Sequence, residues 1–126
     1  MTRLTIRIDF ADGTALGPGK VKLLELVAKT GSIRKAAVGM KMSYRKAWLL
    51  LKALKDTFGE ALVETTTGGR AGGGARLTPF GRFVVARYRA LEQSAARAGA
   101  RPLAALSRRV APKSRRKTRV RRGIQR

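Results

Sequence analysis

Two serines constrain how the middle of this chain can fold. Ser32 stands before Ile33-Arg34-Lys35-Ala36-Ala37-Val38, and Ser43 before Tyr44-Arg45-Lys46-Ala47-Trp48. A serine at such a place accepts a hydrogen bond from a free N–H of the first helical turn, so each one predicts a helix start. Gly39 predicts the stop of the first helix, near Val38, and Gly59 that of the second. Three residues lie between Gly39 and Ser43, enough for a tight turn and no more. Ala36 and Ala37 are small, which lets the two helices approach closely. Along Tyr44 to Phe58, the residues Ala47, Leu51, Leu54 and Phe58 recur at helical spacing and are expected to face the core.

The flanks complete the pattern. Leu4, Ile6, Ile8 and Phe10 alternate with polar residues, the signature of a half-buried strand. Asp12-Gly13 turns the chain. Gly17-Pro18-Gly19 opens a helix over about residues 20–30, with Val21, Leu24 and Val27 or Ala28 on its apolar face and Thr30-Gly31 at its end. Downstream, Ala61–Thr66 and Ala75–Leu77 read as two strands joined by the glycine-rich stretch 68–74. Thr78 caps a last helix with Pro79 in its first position, and Phe80, Phe83, Val84, Tyr88 and Leu91 mark its apolar stripe to about Ala98. The order β, α, α, α, β, β, α predicts a mainly α fold with a small β-hairpin wing. That is a winged helix-turn-helix with a long C-terminal helix, filling residues 1–100.

Charge then narrows the function. The 126 residues hold 29 Lys and Arg against 7 Asp and Glu, a net charge of +22, with no histidine and no cysteine. No imidazole base, thiol nucleophile, disulfide or Cys/His metal site is therefore available. The seven carboxylates are scattered, which argues against a paired-carboxylate hydrolase, and no catalytic residue and no cofactor is expected. Ten of the cationic residues fall in 107–126, with no acid among them. Residues 101–126 read as a disordered basic tail that attracts phosphate without reading sequence. The preceding residues remain strongly basic, so the folded part also calls for a polyanion partner. No apolar run is long enough to span a membrane. The alternation at the N-terminus is not that of a signal peptide, and a cytoplasmic, nucleoid-associated protein is expected.

Two stretches carry a family resemblance. Gly31-Ser32-Ile33-Arg34-Lys35-Ala36-Ala37 followed by Ser43-Tyr44-Arg45-Lys46-Ala47-Trp48 is the first. The second is Gly68-Gly69-Arg70-Ala71-Gly72-Gly73-Gly74-Ala75 with Leu77-Thr78-Pro79-Phe80-Gly81. Together they resemble the N-terminal DNA-binding domain of the molybdate-responsive regulator family ModE, over roughly residues 3–100. The helix-turn-helix part is shared with LysR-type regulators. The resemblance implies a bacterial or archaeal dimeric transcription regulator. Members of that family carry molybdate-binding modules after this domain, whereas here a basic stretch too short for such modules follows residue 100. Molybdate sensing is not expected from these residues, and no small-molecule effector is indicated.

The candidate DNA-binding residues follow from the fold. Ser43, Tyr44, Arg45 and Lys46 form the first turn of the helix expected in the major groove, where the helix dipole and free N–H groups attract phosphate. Arg45 is the first candidate for base reading, since a guanidinium can hold guanine O6 and N7 together. Trp48 lies one turn on, either beside the bases or buried as a core aromatic, and Lys52 continues that face toward phosphate. Ser32, Arg34 and Lys35 begin the preceding helix, Ser32 mostly as a cap and the two cations as backbone clamps. Arg70 and Arg76 supply charge on the wing. Its glycines lack the Gly-Lys-Ser/Thr ending of a nucleotide-binding loop.

The stripe Phe80, Phe83, Val84, Tyr88 and Leu91 looks richer than a small core needs. A homodimer through this helix is expected, reading an inverted repeat in double-stranded DNA. A non-specific architectural DNA binder is the alternative favoured by the tail. An RNA-binding protein fits the composition but lacks paired exposed aromatics of the usual kind.

Overall fold

The chain opens on a hairpin built around Asp12-Gly13. Asp12 Oδ1 accepts from the Thr14 N–H at 3.0 Å and the Thr14 hydroxyl at 2.7 Å, closing the turn. Ile8–Asp9 (β1) thereby pairs antiparallel with Ala15–Leu16 (β2). The structure is a computed structural model that describes residues 2–66 and 74–113. The expected burial alternation holds, with Leu4, Ile6, Ile8 and Phe10 half-buried between exposed neighbours. The ladder is much shorter than residues 4–10, because its partner has only two residues before Pro18 turns the chain into a helix.

That helix, Pro18–Thr30 (α1), lies at the centre of the core. Val21, Leu23, Leu24 and Val27 are all fully buried, where each such side chain contributes about 1.5–3 kcal/mol. Leu23 widens the expected apolar face, so α1 is covered on more than one side. Gly31, at φ 69°, ends it in the left-handed conformation.

The two serine caps are both formed. Ser32 Oγ accepts from the Lys35 N–H at 3.1 Å and starts Ile33–Gly39 (α2). Ser43 Oγ accepts from the Lys46 N–H at 3.0 Å and starts Tyr44–Phe58 (α3). Gly39 was expected to stop α2, yet it is the helix's last residue, and the left-handed position falls on Lys41 at φ 56°. Packing accounts for the glycine: a Cβ there would sit 3.2 Å from Leu26 Cδ1, so its absence lets α2 approach α1. Ile33, Ala36 and Ala37 from α2 join Ala47, Leu51 and Leu54 from α3 in the core.

Val63–Thr66 (β3) and Gly74–Leu77 (β4) form the second antiparallel pair, in the register Val63↔Leu77 and Glu64↔Arg76. Its root is anchored at two points. The Ala75 N–H donates to the Gly31 carbonyl at 2.9 Å, fixing β4 to the end of α1. Thr78 donates its N–H to the Leu62 carbonyl at 2.9 Å and its hydroxyl to the Ala61 carbonyl at 2.8 Å. The Thr78 hydroxyl also accepts from the Gly81 N–H, capping Pro79–Ala98 (α4) as expected. Gly81 has no alternative: a Cβ would fall 2.1 Å from the Leu62 carbonyl oxygen.

Phe10, Phe58, Phe80 and Phe83 continue in a chain of ring contacts 5.5–6.0 Å between centroids, joining the first hairpin, the end of α3 and the start of α4. Contacts gather Thr5–Gln93 into one compact unit, a winged helix-turn-helix, and Met1–Leu4 with the segment from Ser94 into a second. In the second unit, Ala100–Arg108 (α5) is helical where a disordered tail was expected from residue 101. The local sequence is rich in alanine and leucine, both strong helix formers. Pro102 falls in the first turn, where its missing N–H has no partner to lose.

Candidate nucleic-acid interface

Helical periodicity divides α3 into two faces. Ala47, Leu51 and Leu54 point inward, with Leu50 half-buried beside them, and the opposite side of the helix turns outward. Tyr44, Arg45, Lys46, Trp48, Leu49 and Lys52 are all exposed. Trp48 is 45% exposed, so of its two expected places the surface is the one it takes. No acidic residue occupies the first turn of α3, leaving the positive end of the helix dipole uncancelled there.

The aromatic side chains on this face are tied together. Trp48 Nε1 donates to the Tyr44 hydroxyl oxygen at 2.7 Å. Arg34, reaching over from α2, sets its guanidinium carbon 4.5 Å from the centre of the Tyr44 ring. A cation over an exposed ring contributes about 0.5–1 kcal/mol. Arg34, a candidate backbone clamp from the sequence, here braces Tyr44.

The cations fall into two groups. Among the described residues, Lys35, Arg45 and Lys46 enter no ion pair. Lys52 is paired with Asp56 one turn on, at 3.2 Å, and Arg76 with Glu64 across the wing strands, at 2.7 Å. Both pairs are exposed and weak enough to be exchanged for phosphate. Lys46 also borders a concavity with Arg7 and Lys20, so positive charge continues from α3 toward the start of α1. On the other side of α3, Trp48, Lys52 and Lys55 face Leu62, Val63 and Thr65 across a groove of about 320 Å³. Arg70 and most of the glycine stretch lie outside the described residues, as does the basic run beyond Lys113.

The stripe on α4 splits as well. Val84 and Tyr88 are buried in the core and Phe80 is half-buried in the aromatic chain. Phe83 and Leu91 stay on the surface, 51% and 47% exposed, with Arg87 5.2 Å from the Phe83 ring centre. Core packing thus accounts for part of the stripe, and two large apolar side chains remain outside it.

Two features went unnoticed in the sequence. Leu49 is 53% exposed in the middle of the outward α3 face. Its position, opposite both Ala47 and Leu51 on the helical wheel, carried that signal. Arg89 on α4 holds Glu25 on α1 through two hydrogen bonds of 2.7 and 3.0 Å and also binds Glu92 at 2.8 Å. The Arg89 hydrogen bonds keep the Glu25 carboxyl below its ordinary range. The i,i+3 spacing suits Arg89 and Glu92, but nothing in the sequence announces that Glu25 joins them.

The arrangement is an exposed, cationic, capped helix beside an anchored hairpin, a shape with known counterparts. The sequence profile of the bacterial regulatory helix-turn-helix proteins of the lysR family matches residues 19–82. The chain belongs to this LysR-type family. The matched span runs from the first turn of α1 through α2, α3 and the wing to the first turn of α4.

Among similar proteins, the molybdenum transport protein ModE of Azotobacter vinelandii is 41% identical over 92 residues, covering 73% of this chain and 33% of that protein. The DNA-binding transcriptional dual regulator ModE of Escherichia coli K12 is 36% identical over 93 residues, covering 71% and 34%. The chain thus spans about a third of the length of these ModE relatives, and it resembles the winged helix-turn-helix part of the ModE family. The solved complex of the CbnR_DBD with DNA superposes with a TM-score of 0.53 at 28% identity, covering 69% of this chain and 94% of that one. The LysR-type assignment and the winged helix-turn-helix fold therefore agree.

Proposed function

We propose that this chain is a sequence-specific transcription regulator of double-stranded DNA, acting in the bacterial cytoplasm. Helix α3 enters the major groove, whose width of about 12 Å accepts one helix. Its first turn meets the base edges, with Arg45 foremost and Lys46 beside it. Lys35, Lys52 and the cations near the start of α1 hold the phosphates and set the register. The wing lies on the flanking backbone with Arg76.

The observation that carries this reading is the outward face of α3. It presents Arg45 and Lys46, which enter no ion pair among the described residues, together with exposed Tyr44, Trp48 and Leu49. The CbnR complex, solved on DNA, supports the partner. The exposed Phe83 and Leu91 support a homodimer through α4, which would set two recognition helices about 34 Å apart on an inverted repeat.

Selection of bound fragments from random DNA, followed by titration of the selected duplex, tests the reading. Arg45→Ala is expected to lose about 1–3 kcal/mol on the selected duplex and to relax one base preference. Binding at about 0.2 M salt against competitor DNA separates the alternative. A non-specific architectural protein selects no sequence and loses most of its affinity there; a regulator keeps its site.

A further inference from the structure

We infer that the Tyr44 hydroxyl is a specificity-determining donor that selects guanine in the major groove, held in its donating state by Trp48. The inference rests on the placement of α3 proposed above and adds which atom reads which base edge.

Direction is the first step. The indole Nε1 of Trp48 is a donor only and has no lone pair to offer, so the 2.7 Å bond to the Tyr44 hydroxyl runs one way. The phenol oxygen accepts it. Its own hydrogen remains, and it must point away from the indole. Hydrogen bonds in a chain polarise one another, so accepting from Trp48 makes the Tyr44 O–H a stronger donor.

Position is the second step. Tyr44 is the first residue of α3, and the N-terminal residues of such a helix are the ones that meet base edges. The ring is clamped from two sides: Trp48 holds its oxygen, and the Arg34 guanidinium from the neighbouring helix sits over its face. Tyr44 is 40% exposed, so the clamp orients the ring without hiding it. A side chain fixed before binding loses less freedom on binding.

Charge is the third step. A lone outward donor asks for an acceptor. Arg34 and Arg45 set positive potential around it, which favours the most electronegative edge available. Guanine offers two adjacent acceptors, N7 and O6. Adenine sets its N7 beside an amino donor, thymine its O4 beside a methyl, and cytosine presents only a donor. Guanine is the base this constellation fits.

The test uses the full chain and the duplex obtained by selection. Each guanine of that duplex is replaced in turn by 7-deazaguanine, which lacks the N7 acceptor, and by 2-aminopurine, which lacks O6. At one guanine, one analogue is expected to lower wild-type affinity about tenfold. Tyr44→Phe should bind the unmodified duplex about tenfold more weakly and no longer notice that analogue. Its binding to unselected DNA should fall much less than its binding to the selected duplex. Trp48→Phe keeps the hydroxyl but unties it, and is expected to distinguish the analogue less well than wild type.

If Tyr44→Phe still discriminates at every guanine, or weakens selected and unselected DNA alike, the inference is overturned while the regulator reading stands. Full discrimination in Trp48→Phe would overturn the role given to the indole. Failure of the wild type to select any sequence would overturn both readings. Because both side chains are on the surface, a far-ultraviolet circular dichroism spectrum matching wild type confirms that each variant folds.

Discussion

Tyr88 donates its hydroxyl hydrogen to the carbonyl oxygen of Ile6 at 2.6 Å, binding the middle of α4 to the first residues of the compact unit. The ring is 2% exposed, and the acceptor is a backbone carbonyl that no ladder pairing satisfies. This single bond spans 82 positions of the sequence. Replacing Tyr88 by Phe keeps the packing and removes only the donor. The Ile6 carbonyl is then left without its partner, at an expected cost of about 1–2 kcal/mol. A urea unfolding midpoint lowered at unchanged slope is the corresponding measurement; an unshifted midpoint would mean that water replaces the phenol without loss.

Glu25 and Tyr88 set opposite pH limits on stability. The Arg89 hydrogen bonds lower the Glu25 carboxyl from its ordinary 4.5. The folded state therefore prefers the ionised form, and its contribution is fully present above that value. It is lost as pH falls through the lowered folded one. Burial raises the Tyr88 phenol from its ordinary 10.0. The fold prefers the neutral form, so this contribution is whole below that value and is lost as pH rises through the raised folded one. Unfolding midpoints measured across pH should form a plateau with two falling edges. Glu25→Gln should flatten the acid edge alone, and Tyr88→Phe the alkaline edge alone.

Glu64 restrains the wing. Its carboxylate holds Arg76 at 2.7 Å directly across the β3–β4 ladder. Glu64→Gln releases the cation without changing the size of the side chain. Affinity for any duplex should then rise by about two- to fivefold at low salt. The slope of log affinity against log salt should stay as it is, since Arg76 meets phosphate with or without Glu64. Binding titrations at several salt concentrations measure both. Unchanged affinity would show that Arg76 stays off the phosphates.

Much of the fold was legible because its signals are local. Ser43, the spacing of Ala47, Leu51 and Leu54, and Gly59 define α3 within a few residues of each cap, and its bounds follow from them. Gly39 shows the limit. Glycine at a helix end suggests a left-handed cap, yet here it answers a contact with Leu26 that only the packed structure reveals. The same holds for Gly81 against the Leu62 carbonyl. Ala15–Leu16 was too short to mark itself as a strand. The helix Ala100–Arg108 is obscured in the sequence because the basic charge that follows it masks its local helix propensity.

The candidate site divides along the same line. That Arg45 and Lys46 face outward follows from period alone. That Lys52 meets Asp56 was within reach of their i,i+4 spacing, whereas Arg34 over Tyr44 and Arg76 on Glu64 depend on side chains brought together from different elements. Leu49 was legible on the helical wheel. It escaped notice because leucine suggests a core, and only its angle relative to Ala47 and Leu51 says otherwise.

The most direct test of α3 as the groove-reading helix is dimethyl sulfate footprinting of the selected duplex. The reagent methylates guanine N7 in the major groove and adenine N3 in the minor groove. Bound protein is predicted to protect guanine N7 in two half-sites about one helical turn apart, with that protection lost in Arg45→Ala. Guanine N7 positions equally reactive with and without protein, and protection confined to adenine N3, would contradict it.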